Sequence, residues 1–187
     1  MMKKYFRPDP SEAAISAVGG PYHHFLLMNE IEHPAKNWRN VFNEFFGVMH
    51  SAGNQRFEHA ELSDAILAHF SDQISWINST NPALGNEPLS GLCWCGPTII
   101  NSDGADIARK VFGGWARLLS CGPKEVLLTG PNSCISDERG KCTPGSESFN
   151  TIICDRDRTV RNLQLIEQFA TIVATSSGER YILHFGV

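Results

Sequence analysis

The chain has 187 residues, 42% of them hydrophobic and 19% charged, with a formal net charge of −4. That balance excludes intrinsic disorder, which needs low hydrophobicity and high net charge, and a chain of this length can bury a core of its own. A partner bound through nucleic-acid phosphates is also disfavoured, because it calls for a basic surface, and no apolar run approaches the ~20 residues of a membrane span.

Residues 1–21 are polar and end in Val18-Gly19-Gly20-Pro21, so they read as an N-terminal arm ahead of a single globular domain over 22–187. The opening Met1-Met2-Lys3-Lys4 has no apolar segment behind it, so we expect no secretory signal and a cytoplasmic location. An apolar run of strand length follows over 22–31 and contains His23-His24. In a strand, neighbours point to opposite faces, so one of these rings should face in, in a structural role, and the other out. Beyond Pro34, Trp38, Val41, Phe42, Phe45, Phe46 and Met49 recur at spacings of three and four and predict a helix. A second helix is predicted over 58–77, where Leu62, Ile66, Phe70, Ile74 and Ile77 share one face and Glu61, Asp64 and Asp72 lie opposite.

The segment 79–88 is rich in Asn, Pro and Gly and reads as a loop. A strand over 89–95 should break at Gly96-Pro97, with 98–100 continuing beyond it. Ser102 or Asp103 is positioned to cap a third helix carrying Ile107, Val111, Phe112, Trp115, Leu118 and Leu119. Within it, Gly113-Gly114 implies either the close approach of another backbone or a break. Cys121-Gly122-Pro123 stops that helix, and 124–130 reads as a strand. The Gly-, Ser- and Pro-rich 131–148 reads as a long surface loop, 149–154 as a strand, 159–175 as a helix and 180–187 as a closing strand. The class implied is α+β or mixed α/β, with about five strands and four helices in one compact domain.

Six cysteines stand at 93, 95, 121, 134, 142 and 154. Their spacing follows no structural-zinc rhythm and no export signal accompanies them, so we expect reduced, metal-free thiols packed as small hydrophobes. Trp94-Cys95-Gly96-Pro97-Thr98 resembles the Trp-Cys-Gly-Pro-Cys stretch of thioredoxins, whose first cysteine is a nucleophile at a helix N-terminus. Thr98 stands where that family has its resolving cysteine, so a dithiol cycle cannot run here. No His-Glu-x-x-His, Gly-x-Ser-x-Gly, Walker loop or Gly-x-Gly-x-x-Gly is present, and neither a metal centre nor a cofactor is expected.

Charge is the more informative pattern. Residues 51–108 hold one basic residue, Arg56, against Glu58, Glu61, Asp64, Asp72, Glu87, Asp103 and Asp106, a net of −6. An acidic middle segment of this kind suits a basic protein partner, since complementary charge speeds encounter and suppresses wrong partners. In size, charge and lack of catalytic motif the chain resembles bacterial toxin-immunity proteins. That resemblance implies a non-catalytic cytosolic binding protein that neutralises a basic toxin, with Glu58, Glu61, Asp64 and Asp72 as the partner-binding residues. The alternative is an enzyme without a readable short motif, using a His or Cys on the late loops.

Overall fold

A computed structural model of the chain describes residues 22–49, 57–129, 134–136, 142–144 and 151–186. The 1–21 arm and most of the 131–148 loop lie outside the described residues. Strand β1 (Tyr22–Asn29) is followed by helix α1 (Trp38–Met49), β2 (His59–Ser63) and two short helices, α2 (Asp64–Ala68) and α3 (Ser71–Ile74). Next come β3 (Asn78–Asn81), β4 (Glu87–Ser90), β5 (Gly96–Ile100) and the long helix α4 (Ser102–Ser120). After β6 (Glu125–Thr129), β7 (Cys134–Ser136), β8 (Cys142–Pro144) and β9 (Thr151–Asp155), the chain closes with α5 (Arg156–Thr175) and β10 (Arg180–Gly186).

Six strands form one sheet in the order β2-β1-β10-β5-β3-β4, all neighbours antiparallel. The fold is therefore α+β, with more strands than the sequence pattern counts. Both faces of the sheet are covered, which explains why β1 and β10 read as nearly continuous apolar runs rather than alternating ones. On one face Phe25, Leu27, Ile100 and Ile182 pack against Phe112 of α4 and Leu163, Ile166 and Phe169 of α5. On the other, Leu26, Met28, Leu183 and Phe185 pack against Val41, Phe45 and Phe46 of α1. Among the described residues no helix is long and apolar enough to cross a membrane.

The helix expected over 58–77 is instead β2 followed by α2 and α3. Residues 59–63 alternate half-buried and buried as an edge strand must, and Ser63 then caps α2 by accepting a hydrogen bond from the Ile66 amide. Leu62, Ile66, Phe70 and Ile74 are nonetheless all buried, because strand and short helices deliver them to the same core. The expected 79–88 loop is a hairpin of β3 and β4, joined through a turn at Pro82–Leu84 and a left-handed Gly85. Gly96-Pro97 does not break a strand but begins β5, with Pro97 opposite Phe185. Residues 91–95, expected as strand, are the connection leading into it.

Helix α4 runs unbroken through Gly113-Gly114, capped by Asn101, whose side chain accepts from the Asp103 amide. The close approach at Gly113 is by the Glu167 carboxylate of α5 rather than by backbone, and backbone crowds Gly104 instead. A Cβ on Gly104 would lie 1.9 Å from the Asn78 carbonyl oxygen, whereas one on Gly114 would meet nothing within 4 Å. Replacing Gly114 by Ala is therefore expected to stabilise the protein by about 1 kcal/mol through helix propensity. Gly104→Ala should destabilise it, and urea midpoints of the two variants give the comparison.

Candidate functional site

The most deeply buried of the features that bring chemistry-bearing side chains together is a relay through the sheet. His23 Nδ1 lies 2.8 Å from His184 Nε2, and His23 Nε2 lies 3.0 Å from Asp64 Oδ1. His184 Nδ1 lies 3.3 Å from Thr98 Oγ1, which accepts from the Cys93 amide at 2.8 Å. An assignment of protons that gives every ring nitrogen a partner runs in one direction. Cys93 N–H donates to Thr98, Thr98 O–H to His184 Nδ1, His184 Nε2–H to His23 Nδ1, and His23 Nε2–H to Asp64. Complete burial holds His184 well below the usual histidine range. The relay fastens β1, β10, β5 and α2 together, and Trp94 closes it with its ring edge-on to His23 at 4.9 Å. His23, His184 and Thr98 are all buried, so no substrate reaches their reacting atoms.

His24 does not face outward, contrary to the alternation argument, because α1 covers that side of the sheet. Its ring packs on Phe45 and Phe46, and its Nδ1 lies 3.0 Å from His59 Nε2. Burial lowers His24 to about 3, reinforced by the neighbouring His59, and lowers His59 to about 4.

Two of the four acids expected to bind a partner have partners within the chain. Glu61 pairs with Arg158 of α5, and Asp64 is taken up by His23. Glu61 lies on the His24 side of β2, whereas Asp64 reaches the His23 side of the sheet. Glu58 and Asp72 are exposed, with no ion pair among the described residues. The sequence offered no sign of these internal partners, since Arg158 is 97 residues from Glu61 and His23 is 41 from Asp64.

Next to Asp72 lies a surface feature that sequence reasoning missed. Gln73, Trp76, Ile107, Lys110, Val111, Gly114, Trp115 and Leu118 line a groove of about 400 Å³ between α3 and α4. Trp76 is 62% exposed and Leu118 61%, so the groove is an apolar strip open to solvent. Lys110, the one cation lining it, pairs with Asp106 at 2.5 Å, a carboxylate it shares with Arg109. The sequence signal is Ile107, Val111 and Leu118 on one stripe of α4, with Gly114 between them.

Of the described cysteine side chains, Cys93 is half-buried and Cys95 and Cys121 are exposed, all three as free thiols. They are not the buried small hydrophobes expected. Those of Cys134, Cys142 and Cys154 lie outside the described residues. Cys95 precedes a strand rather than a helix, so the N-terminal dipole that activates the thioredoxin nucleophile is missing. It opens into a second cavity, of about 530 Å³, lined also by Trp38, Arg39, Phe42 and Pro97.

No protein-family model, curated protein or solved structure matches the chain. What its sites can do is therefore read from their own side chains.

Proposed function

We propose that the chain is a non-catalytic binding protein that captures a basic protein partner on the α3–α4 face, as toxin-immunity proteins capture their toxins. The observation that carries this reading is the groove between Trp76 and Leu118. Exposed tryptophan and leucine in one apolar strip are unusual on a surface that has no partner, and tryptophan is the side chain most enriched among residues that dominate binding energy. Asp72 stands one residue before Gln73 at the groove wall, and Asp103 lies one turn before Ile107 on the same stripe of α4. Both acids are exposed, and neither has an ion pair among the described residues. An apolar centre with an acidic rim fits a basic partner carrying an apolar anchor.

The test is affinity capture from the native host with the parent chain, Trp76→Ala, Leu118→Glu and Asp72→Lys. The parent should recover one basic protein. Trp76→Ala and Leu118→Glu should weaken its capture at least tenfold through faster dissociation, and Asp72→Lys should slow association in a salt-dependent way. Equal capture by all four proteins overturns the reading.

One observation favours a second reading, an enzyme working through Cys95. That thiol shares the 530 Å³ cavity with the Arg39 guanidinium and the apolar Trp38, Phe42 and Phe185. Turnover of a substrate by the purified chain, lost in Cys95→Ser and kept in Trp76→Ala, would establish it in place of the first.

A further inference from the structure

The two histidine pairs of the sheet differ in what lies beside them. In the His23–His184 relay every ring nitrogen has a partner. In the His24–His59 pair, His24 Nδ1 faces His59 Nε2, and the Glu61 carboxylate lies beside both rings.

We propose that His24, His59 and Glu61 form a binding site for a divalent transition-metal cation of the zinc class. Strand register supplies the first support. His24 and Glu61 are directly opposed on β1 and β2, and His59 lies two residues before Glu61, hence on the same face. One nitrogen from each ring and one carboxylate oxygen all lie within 4.8 Å of one another. Two paired strands hold the three groups on one face, and their spread closes as the ion binds, because ligands about 2.0–2.2 Å from zinc lie at most about 4.4 Å apart.

Distance and chemistry supply the rest. The 3.0 Å between His24 Nδ1 and His59 Nε2 is close to the roughly 3.3 Å that separates two nitrogen ligands on a tetrahedral zinc. Burial keeps both imidazoles neutral far below pH 7, and the neutral ring is the form that ligates. Arg158 holds one oxygen of Glu61 and leaves the other available, the kind of support that orients a ligating carboxylate. Phe45 packs edge-on to both rings, at 5.5 Å from His24 and 4.8 Å from His59, and Phe46 edge-on to His24 at 5.4 Å. These aromatics give the ion a dry wall on the α1 side. Entry is from the sheet edge, because β2 is the outermost strand and His59 and Glu61 are only half-buried. Two imidazoles and one carboxylate leave a fourth position open for water or a partner's side chain. The sequence signal was His59-x-Glu61 in alternation opposite His24, which a helical reading of 58–77 hid.

The test uses the full chain stripped with a chelator. Zinc is titrated by calorimetry, and cobalt(II) is titrated as a coloured probe of ligand type. We expect one equivalent of either ion, visible bands of low-coordinate cobalt without the strong near-ultraviolet thiolate absorption, and a melting temperature that rises with zinc. His59→Gln and Glu61→Gln should each weaken zinc binding at least tenfold. Both residues are half-buried at an edge, and melting curves in chelator confirm that each variant folds. Replacing Cys93, Cys95 and Cys121 by Ser should leave the affinity unchanged. No binding at millimolar zinc overturns the proposal. So does cobalt thiolate absorption, or binding that survives in the His59→Gln/Glu61→Gln double variant. None of these readouts depends on a protein partner, so the metal site and the groove stand or fall separately.

Discussion

Truncating Phe70 to alanine is expected to lower the unfolding free energy by about 3–5 kcal/mol. Phe70 is 1% exposed and sits in the turn between α2 and α3. Its ring stacks on Trp115 at 4.8 Å and meets Phe112 edge-on at 6.0 Å, and Phe112 in turn meets Phe25 of β1. Removing the ring deletes a large buried apolar surface and opens a cavity that these rigid aromatic neighbours cannot close. The loss is a large share of the roughly 5–15 kcal/mol by which a domain is normally stable. Urea unfolding should show a lower midpoint with an unchanged slope, because the surface exposed on unfolding hardly changes. A loss below about 1 kcal/mol would mean that the core relaxes around the gap. Because Trp115 also lines the groove, the same variant should bind a partner less well than its residual stability alone explains.

Phe70 also shows how far the sequence could be read. Its burial was legible, together with that of Leu62, Ile66 and Ile74, because apolar residues four apart announce a core-facing set. Its secondary structure was not legible. A spacing of four satisfies a helix face, but it also satisfies a strand that hands over to two short helices, and only tertiary pairing with β1 decides between them. Helices α1, α4 and α5 were readable because each sustains its periodicity over three turns or more. Strand β3, Asn78-Ser79-Thr80-Asn81, was invisible for the opposite reason. It has no apolar alternation, and its buried polar groups are satisfied locally, with Ser79 Oγ donating to the carbonyls of Leu89 and Gly91. Glu58 and Asp72 are exposed, whereas Glu61 and Asp64 are engaged by groups that come from distant elements. Net charge over a segment does not reveal which of its carboxylates are already occupied.

Acidification should unfold this protein well before its carboxylates titrate. His24, His59 and His184 are neutral in the folded state because burial opposes their charging, His24 being held at about 3 and His59 at about 4. In the unfolded chain each returns to its ordinary value of about 6.5. Above that pH neither state binds these protons, and the histidines make stability independent of pH. Below it the unfolded state takes up protons that the folded state refuses, so stability falls as pH falls, and the loss continues until the folded pKa values are reached. Each imidazole contributes up to about 1.4 kcal/mol per pH unit, so three together approach 4 kcal/mol per unit near pH 5. The groups facing them do not reverse this sign. His184 faces His23 and Thr98, while His24 and His59 face each other and Glu61, whose carboxylate is already paired with Arg158. A drop of this size over one to two pH units is comparable with the whole stability of a domain. Urea unfolding in chelator at about pH 7.5 and about pH 5 measures it, and acid unfolding should be complete above about pH 4. Replacing His184 by Gln should lower stability at neutral pH, yet reduce the pH slope by about one proton, because that side chain no longer titrates. The slope separates the charging of a buried ring from simple loss of the relay's hydrogen bonds, which would shift stability equally at every pH. Stability that stays level between pH 7 and 5 would mean that the rings reach solvent and take up their protons in the folded protein.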